Sequence, residues 1–247
     1  MSNSNSRFIR QLITFITFAC TFLATSASNA ALIHQYTFLS GTAIDSVGGA
    51  NGTLFGGASI VGGELLLNGT GYVETLGNHI IPTAGDFTLS MDVKQTAFGS
   101  AYVELISQGS SGSGFYLGYS PAKTMRVTDA YLNTAIPFPT DGLYHNYTLS
   151  VSGNITSLYI DHVLQGTFLN IARGIGGTNT RFGEQFNVNG LVQEYFTGSM
   201  KNILVYDTNL AGVAVPTPSS YALVLAGLGF MGITRNSRSR KTISKSR

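Results

Sequence analysis

The sequence predicts an all-β fold, a two-sheet antiparallel jelly-roll sandwich, on three observations. Short alternating or β-rich runs recur between clusters of Gly, Asn, Asp and Ser, and such runs put every second side chain on one sheet face. No stretch between residues 31 and 212 sustains a helical period. Glycine is abundant, at 30 of 247 residues, and charge is low at 11%, which suits many tight turns between half-buried strands. Two apolar stretches at the chain's ends stand outside this pattern. They predict an N-terminal signal peptide and one short C-terminal hydrophobic helix.

The chain opens with Arg7 and Arg10, then an apolar stretch at 12–24 (LITFITFACTFLA), then small and polar residues at 25–30. That order of regions is a secretory leader. Ser28 and Ala30 occupy the minus-three and minus-one positions of a cut between Ala30 and Ala31, so residues 1–30 are the expected leader and signal peptidase an expected partner. Cys20, the single cysteine, lies inside the apolar stretch, and Phe18 and Ala19 before it make a poor lipidation motif. The exported part, with a domain at 31–212, is then free of cysteine and can hold no disulfide, thiolate nucleophile or cysteine metal site.

Strands are expected in order. Ile33-His34-Gln35-Tyr36-Thr37-Phe38 alternates. Glu64-Leu65-Leu66-Leu67 and Tyr72-Val73-Glu74 flank the turn Asn68-Gly69-Thr70-Gly71. The stretch 87–94 (FTLSMDVK) is the cleanest alternation and points Phe87, Leu89, Met91 and Val93 inward. Runs at 103–107, 115–119 and 125–127 follow. Residues 147–151 and 156–160 read as a hairpin around Gly153-Asn154, and 196–206 closes the domain. Four Asn-x-Thr sites, at Asn51, Asn68, Asn146 and Asn154, read as turn and strand chemistry, because Asn takes turn angles cheaply and Thr suits strands.

Several of these pieces, in this order, resemble the laminin-G-like, concanavalin A-like jelly roll. They are the loop Asp45-Ser46-Val47-Gly48-Gly49-Ala50-Asn51-Gly52-Thr53-Leu54, the stretch Gly63-Glu64-Leu65-Leu66-Leu67-Asn68-Gly69 with Tyr72-Val73, and Phe87-Thr88-Leu89. Gly114-Phe115-Tyr116-Leu117-Gly118, Asp141-Gly142-Leu143-Tyr144-His145, Leu158-Tyr159-Ile160-Asp161 and Phe196-Thr197-Gly198-Ser199-Met200 follow. The resemblance spans about residues 32–210. It implies the same sandwich fold and, in many relatives, a structural Ca²⁺. Here Asp45 and nearby glycine carbonyls are the candidate oxygen ligands. Lys201 and Asn202 stand where many relatives carry an acidic ligand, and Tyr144 replaces a tryptophan.

Charge and motif spacing narrow the chemistry. All twelve acidic residues lie in the domain, against six basic ones (Lys94, Lys123, Arg126, Arg173, Arg181 and Lys201), a net charge of −6 within a chain of +2. A domain of that sign repels phosphate backbones, so no nucleic-acid partner is expected. Glycan cleavage needs two carboxylates, and relatives that perform it carry them as Glu-x-Asp-x-x-Glu on one strand. No such run occurs, and Glu74, Glu104, Glu184 and Glu194 each read as lone, solvated charges. His34, His79, His145 and His162 are dispersed without metal-ligand spacing, and His145 reads as a brace for the turn before its strand. No Gly-x-Ser-x-Gly elbow precedes a helix. Tyr116, Tyr119 and Tyr131, near Asp129 and Asn133, supply the aromatic faces and polar oxygens that a sugar site needs, although strand tyrosines commonly pack one face into a core. The expectation is therefore a binding or matrix module, not an enzyme, with exopolysaccharide, another glycan or protein as ligand. The alternative is a secreted glycan hydrolase with a scattered active site.

The end of the chain carries three features in fixed order. Val215, Pro216, Thr217, Pro218 and Ser219 sit in a Pro/Ser linker at 213–220. A 13-residue apolar run, YALVLAGLGFMGI, follows within 221–234, and Arg235, Arg238, Arg240, Lys241, Lys245 and Arg247 make a basic tail at 235–247 without any acid. A full span wants about 20 apolar residues, so this run suits a transient membrane insertion with its cations on the cytoplasmic side. The arrangement resembles the PEP-CTERM sorting signal of Gram-negative bacteria, with Pro216, Pro218, Ser219 and Ala226-Gly227-Leu228-Gly229 matching and Thr217 in place of that family's Glu. The resemblance implies processing by an exosortase-type membrane transpeptidase. It also implies an inner-membrane intermediate and a final place at the outer surface or in the extracellular matrix.

Overall fold

A computed structural model describes residues 30–99, 101–109, 114–127, 132–169, 173–185 and 194–210. Residues 1–29 of the leader, Asp129, Tyr131, the sorting motif from Val215 to Ser219, the hydrophobic stretch and the basic tail lie outside the described residues. Within them the chain is all-β. Its fifteen strands are β1 (Leu32–Tyr36), β2 (Thr53–Phe55), β3 (Ser59–Val61), β4 (Glu64–Asn68), β5 (Tyr72–Glu74), β6 (Phe87–Gln95), β7 (Val103–Gln108), β8 (Phe115–Tyr119), β9 (Thr124–Val127), β10 (Leu132–Pro137), β11 (Tyr144–Ser152), β12 (Ile155–Ile160), β13 (Val163–Phe168), β14 (Thr180–Phe182) and β15 (Thr197–Tyr206).

They form two antiparallel sheets. One runs β13-β12-β11-β6-β15-β4-β3, with β1 also paired to β15; the other runs β10-β9-β8-β7-β14-β5-β2. This is the two-sheet sandwich that the alternation implies. Phe87, Leu89, Met91 and Val93 all point into the core, as the period of two requires. They meet Leu105, Ile106, Phe115, Leu117, Met125 and Val127 from the opposite sheet. Each such side chain contributes roughly 1.5–3 kcal/mol by leaving water.

Local chemistry sets the connections. The hairpin at Gly153-Asn154 is present, pairing Ser152 with Ile155. A second hairpin joins β12 to β13 through Asp161 and His162, both at positive φ (50° and 66°), the geometry of a tight I′ connection. Asn68 Oδ1 accepts hydrogen bonds from the Thr70 and Gly71 amides and the Thr70 hydroxyl. That turn does not close a hairpin: β4 belongs to the first sheet and β5 to the second, so it carries the chain across the sandwich. His145 braces its turn as expected, bridging Asp141 (2.9 Å) and Asp161 (2.6 Å).

Two expectations are corrected. The first strand stops at Tyr36, because Phe38 takes φ 59° and turns its ring into the core. The same alternation puts Thr88 on the outward side of β6 and so predicts it exposed; it is buried. Its hydroxyl donates to the Thr208 carbonyl (2.8 Å), accepts from the Leu210 amide (2.9 Å) and pairs with Ser150 (3.1 Å). The segment after β15 thus closes over this end of the first sheet.

Candidate functional site on the outer face of the seven-stranded sheet

Strand parity builds the site. In β7, β8, β9, β14 and β5 the core takes Val103, Leu105, Ile106, Phe115, Leu117, Tyr119, Met125, Val127, Phe182 and Val73, with a bulge between Glu104 and Ile106 that shifts the parity of β7. The alternate residues must emerge on the outer face. Register then aligns them in rows. Arg126 lies beside Gly118, and Gly118 beside Glu104. One row over, Tyr116 faces Ser107, Ser107 faces Arg181, and Arg181 faces Glu74. Tyr72 and Phe55 form a third, directly opposed pair.

The first row holds a buried ion-pair cluster. Arg126 Nη1 donates to Glu104 Oε1 at 2.6 Å and to Glu194 Oε2 at 3.0 Å, and its guanidinium lies 4.5 Å from the Tyr102 ring centroid. Glu104 and Arg126 are almost wholly shielded, at 0% and 1% exposure. Burial pushes the Glu104 carboxyl well above the usual range; Arg126 opposes the shift, and Glu194, hydrogen-bonded to it, reinforces it. Gly118 makes room for this carboxyl, since a Cβ there would stand 2.5 Å from Glu104 Oε2 and 2.1 Å from the Val103 carbonyl. With its nitrogen turned toward Glu194, the Gln185 amide donates to that carboxylate at 2.9 Å.

The second cluster repeats the pattern. Arg181 donates from Nε to Glu74 Oε2 at 2.8 Å and from Nη1 to Glu184. Asn179 also donates to Glu74, and Arg181 stacks 4.7 Å from the Tyr72 centroid. Burial raises the Glu184 carboxyl against the pull of Arg181. Tyr72 stacks on Phe55 at 5.0 Å and 15°, and lies 6.4 Å from Tyr195. Phe55, Tyr72 and Tyr195 each remain partly exposed. The face therefore offers a row of rings beside ion-paired carboxylates, able to stack on an apolar ligand face and accept hydrogen bonds from hydroxyls.

This arrangement corrects the view of Glu74, Glu104, Glu184 and Glu194 as lone solvated charges. Each is held by an arginine: Glu184 by its near neighbour Arg181, and Glu74, Glu104 and Glu194 across sequence separations no local motif would show. The expected sugar residues fare differently. Tyr119 is no surface ring: it lies in the core, packed 4.5 Å from Phe138, with its hydroxyl bonded to Gln95 at 2.7 Å and its pKa raised by burial. Tyr116 is on the candidate face but buried. The backbone of Asn133 sits in β10 opposite Arg126. Sequence reasoning missed Phe55, Tyr72, Tyr195, Arg181 and Arg126; the shared parity of Tyr72 and Glu74 in one strand was the available signal.

Asp45 does not fit a calcium ligand. Its Oδ1 accepts from the amides of Gln35 (2.9 Å), Val47 (3.2 Å) and Gly48 (3.0 Å), and its Oδ2 from Ala50 N (3.0 Å), with His34 Nδ1 at 2.7 Å. N–H groups point where a cation would have to sit. Burial alone would raise this carboxyl, but the bonds from His34, Gln35, Gly48 and Ala50 outweigh it and lower the pKa. Asp45 instead winds the loop at 45–51 around itself. Among the described residues no group of three or more His, Cys, Asp or Glu side chains could hold a metal ion.

The fold is a concanavalin A-like jelly-roll sandwich. The chain belongs to the concanavalin A-like lectin/glucanases superfamily, whose Laminin_G_3 family model matches residues 67–213. Comparison with curated proteins gives no match. Among solved structures, the chain is similar to domain 4 of AbnA, a GH43 extracellular arabinanase from Geobacillus stearothermophilus, in complex with arabinotriose. The TM-score is 0.53 at 17% identity, covering 74% of this chain and 95% of that one. A Trypanosoma rangeli sialidase in complex with 2,3-difluorosialic acid gives TM-score 0.54 at 15% identity, covering 73% and 31%. The binding domain of botulinum neurotoxin DC, in complex with SialylT, gives 0.55 at 12%, covering 80% and 51%. The chain thus spans about a third of the sialidase and half of the toxin domain. These likenesses overturn the expectation that the protein is not an enzyme. The sandwich occurs in chains named as an arabinanase and a sialidase, so a missing Glu-x-Asp-x-x-Glu run does not remove catalysis from its range.

Proposed function

We propose that this protein is an exported glycan-binding jelly-roll protein, carried to the cell surface or the exopolysaccharide by its C-terminal sorting signal. The glycan lies on the outer face of the seven-stranded sheet. The observation that carries this reading is the partly exposed ring row Phe55, Tyr72 and Tyr195 beside the Glu74–Arg181–Glu184 cluster. Superfamily membership supports it, as do neighbours solved with arabinotriose, 2,3-difluorosialic acid and SialylT. The leader before Ala31 and the Val215–Ser219 motif support export, with signal peptidase and an exosortase-type transpeptidase as processing partners.

Titration of the purified protein against a panel of soluble polysaccharides tests the binding half. Tyr72→Ala and Tyr195→Ala should each weaken binding about tenfold, the loss of one ring contact, with the melting transition retained. Binding that ignores both substitutions refutes the placement, and reducing-end release in the same mixtures reads any turnover. Intact mass tests the sorting half: surface-located protein should end near residues 215–219. Replacing Pro216, Thr217 and Pro218 by alanine should leave unprocessed protein in the inner membrane, and a surface protein that still ends at Arg247 refutes the sorting reading.

A further inference from the structure

We propose that the glycan taken by this face is a neutral one, built of uncharged sugars, and that uronate-bearing or sialylated polymers are rejected. This rests on the glycan-binding reading above and adds the ligand's class. An acidic sugar is held by charge-assisted bonds from arginine or lysine. On this face both guanidiniums are engaged by carboxylates of the chain itself: Arg126 by Glu104 and Glu194, Arg181 by Glu74 and Glu184. Four carboxyl groups thus stand against two cations.

The other cations of the domain are committed elsewhere. Lys94 and Lys201 lie 4.8 Å and 4.0 Å from the Tyr144 centroid, on the first sheet. Lys123 donates to the Gly99 carbonyl and stands 5.3 Å from both the Phe98 and Tyr119 rings. Arg173 bonds the carbonyls of Gly85 and Gly153. A carboxylate on the ligand would meet like charge at Glu74, Glu184 and Glu194. A neutral sugar meets no such opposition, since its hydroxyls can donate to Glu194, whose side chain is 22% exposed, while its C–H face rests on the rings.

The test titrates full-length protein against paired polymers, laminarin and arabinan as neutral probes, polygalacturonate and alginate as acidic ones, at about 20 mM and about 500 mM NaCl. The expected result is binding of at least one neutral polymer, changing less than about twofold between the two salts and lost on Tyr72→Ala but kept on Tyr72→Phe. Tighter binding of an acidic polymer, weakened by salt and dependent on Tyr72, overturns the neutral class while leaving glycan binding intact. Neutral binding that survives Tyr72→Ala overturns the placement on this face. Binding of none of the four, with a normal melting transition, overturns the neutral-ligand inference; if the wider panel also fails, glycan binding falls too.

Discussion

Replacing Arg126 by leucine removes a cation that two carboxyl groups share inside a closed site. The guanidinium is 1% exposed and bonds Glu104 Oε1 at 2.6 Å and Glu194 Oε2 at 3.0 Å. Losing one partner of a buried pair leaves an uncompensated charge and costs about 3–5 kcal/mol. In a domain of this size that lowers the melting temperature by about 6–20 °C. The chain has no tryptophan, so urea titration followed by tyrosine fluorescence and far-UV ellipticity is the assay. The loss should depend on pH with a definite sign. The folded-state pKa of Glu104 is raised above an unfolded value near about 4.3. Its contribution is therefore fully present below that value and is lost as pH rises through the raised one. Without Arg126 ionisation is harder still, so the deficit of Arg126→Leu should grow as pH rises through the raised value. Adding Glu104→Leu should recover much of it, because an apolar replacement of a buried ionic group is often neutral. A pH-independent loss below about 1 kcal/mol, the size of an exposed pair, would refute the buried cluster.

Four further outcomes are expected. Met91→Asp should cost at least about 3 kcal/mol by burying an unpaired charge, and Thr88→Asp about 2–4 kcal/mol despite facing outward, because its bonds to Thr208, Leu210 and Ser150 are enclosed; a harmless Thr88→Asp in urea denaturation would contradict that enclosure. Burial would lower the His145 pKa, but the hydrogen bonds its ring donates to Asp161 and Asp141 outweigh it and raise it; its stabilisation is full below about pH 6.5 and fades as pH rises through the raised value, so His145→Gln should shift the melt more at about pH 5.5 than at about pH 8.5, and equal shifts would deny the brace. The Ala31 amide donates to Asp207 Oδ1 at 2.9 Å, so cleavage before Ala31 turns that bond into an ammonium–carboxylate pair; Asp207→Asn should then destabilise a chain starting at Ala31 by about 0.5–1 kcal/mol more than one retaining its leader, with equal melting shifts as the refuting result.

Much of the sandwich was legible because its long strands keep a strict period of two. Phe87, Leu89, Met91 and Val93 announce one buried face, and the stretches around Leu117, Leu149 and Val205 do the same. The strands that escaped, β2, β3 and β14, have three residues each, too few to display a period. The fourth and fifth misses, β10 and β13, sit at sheet edges, where Val163 and Leu164 stay exposed and burial leaves little imprint on the pattern. Thr88 failed for another reason: parity tells which face a side chain takes, and the segment at 208–210 that covers that face is set by tertiary packing.

The site was illegible for a related reason. Glu104 meets Arg126 across 22 positions and Glu74 meets Arg181 across 107, so neither pair leaves a spacing to search for. What the sequence did contain was a constraint on cations. Arg126 lies between the inward Met125 and Val127, and Arg181 between the inward Thr180 and Phe182, which fixes both guanidiniums to a sheet surface. A guanidinium so shielded must find carboxylates, and the acidic residues that share its face are then its natural partners. Starting from the arginines locates the face that starting from the glutamates concealed, and it is the same pairing that leaves no cation there for an acidic ligand.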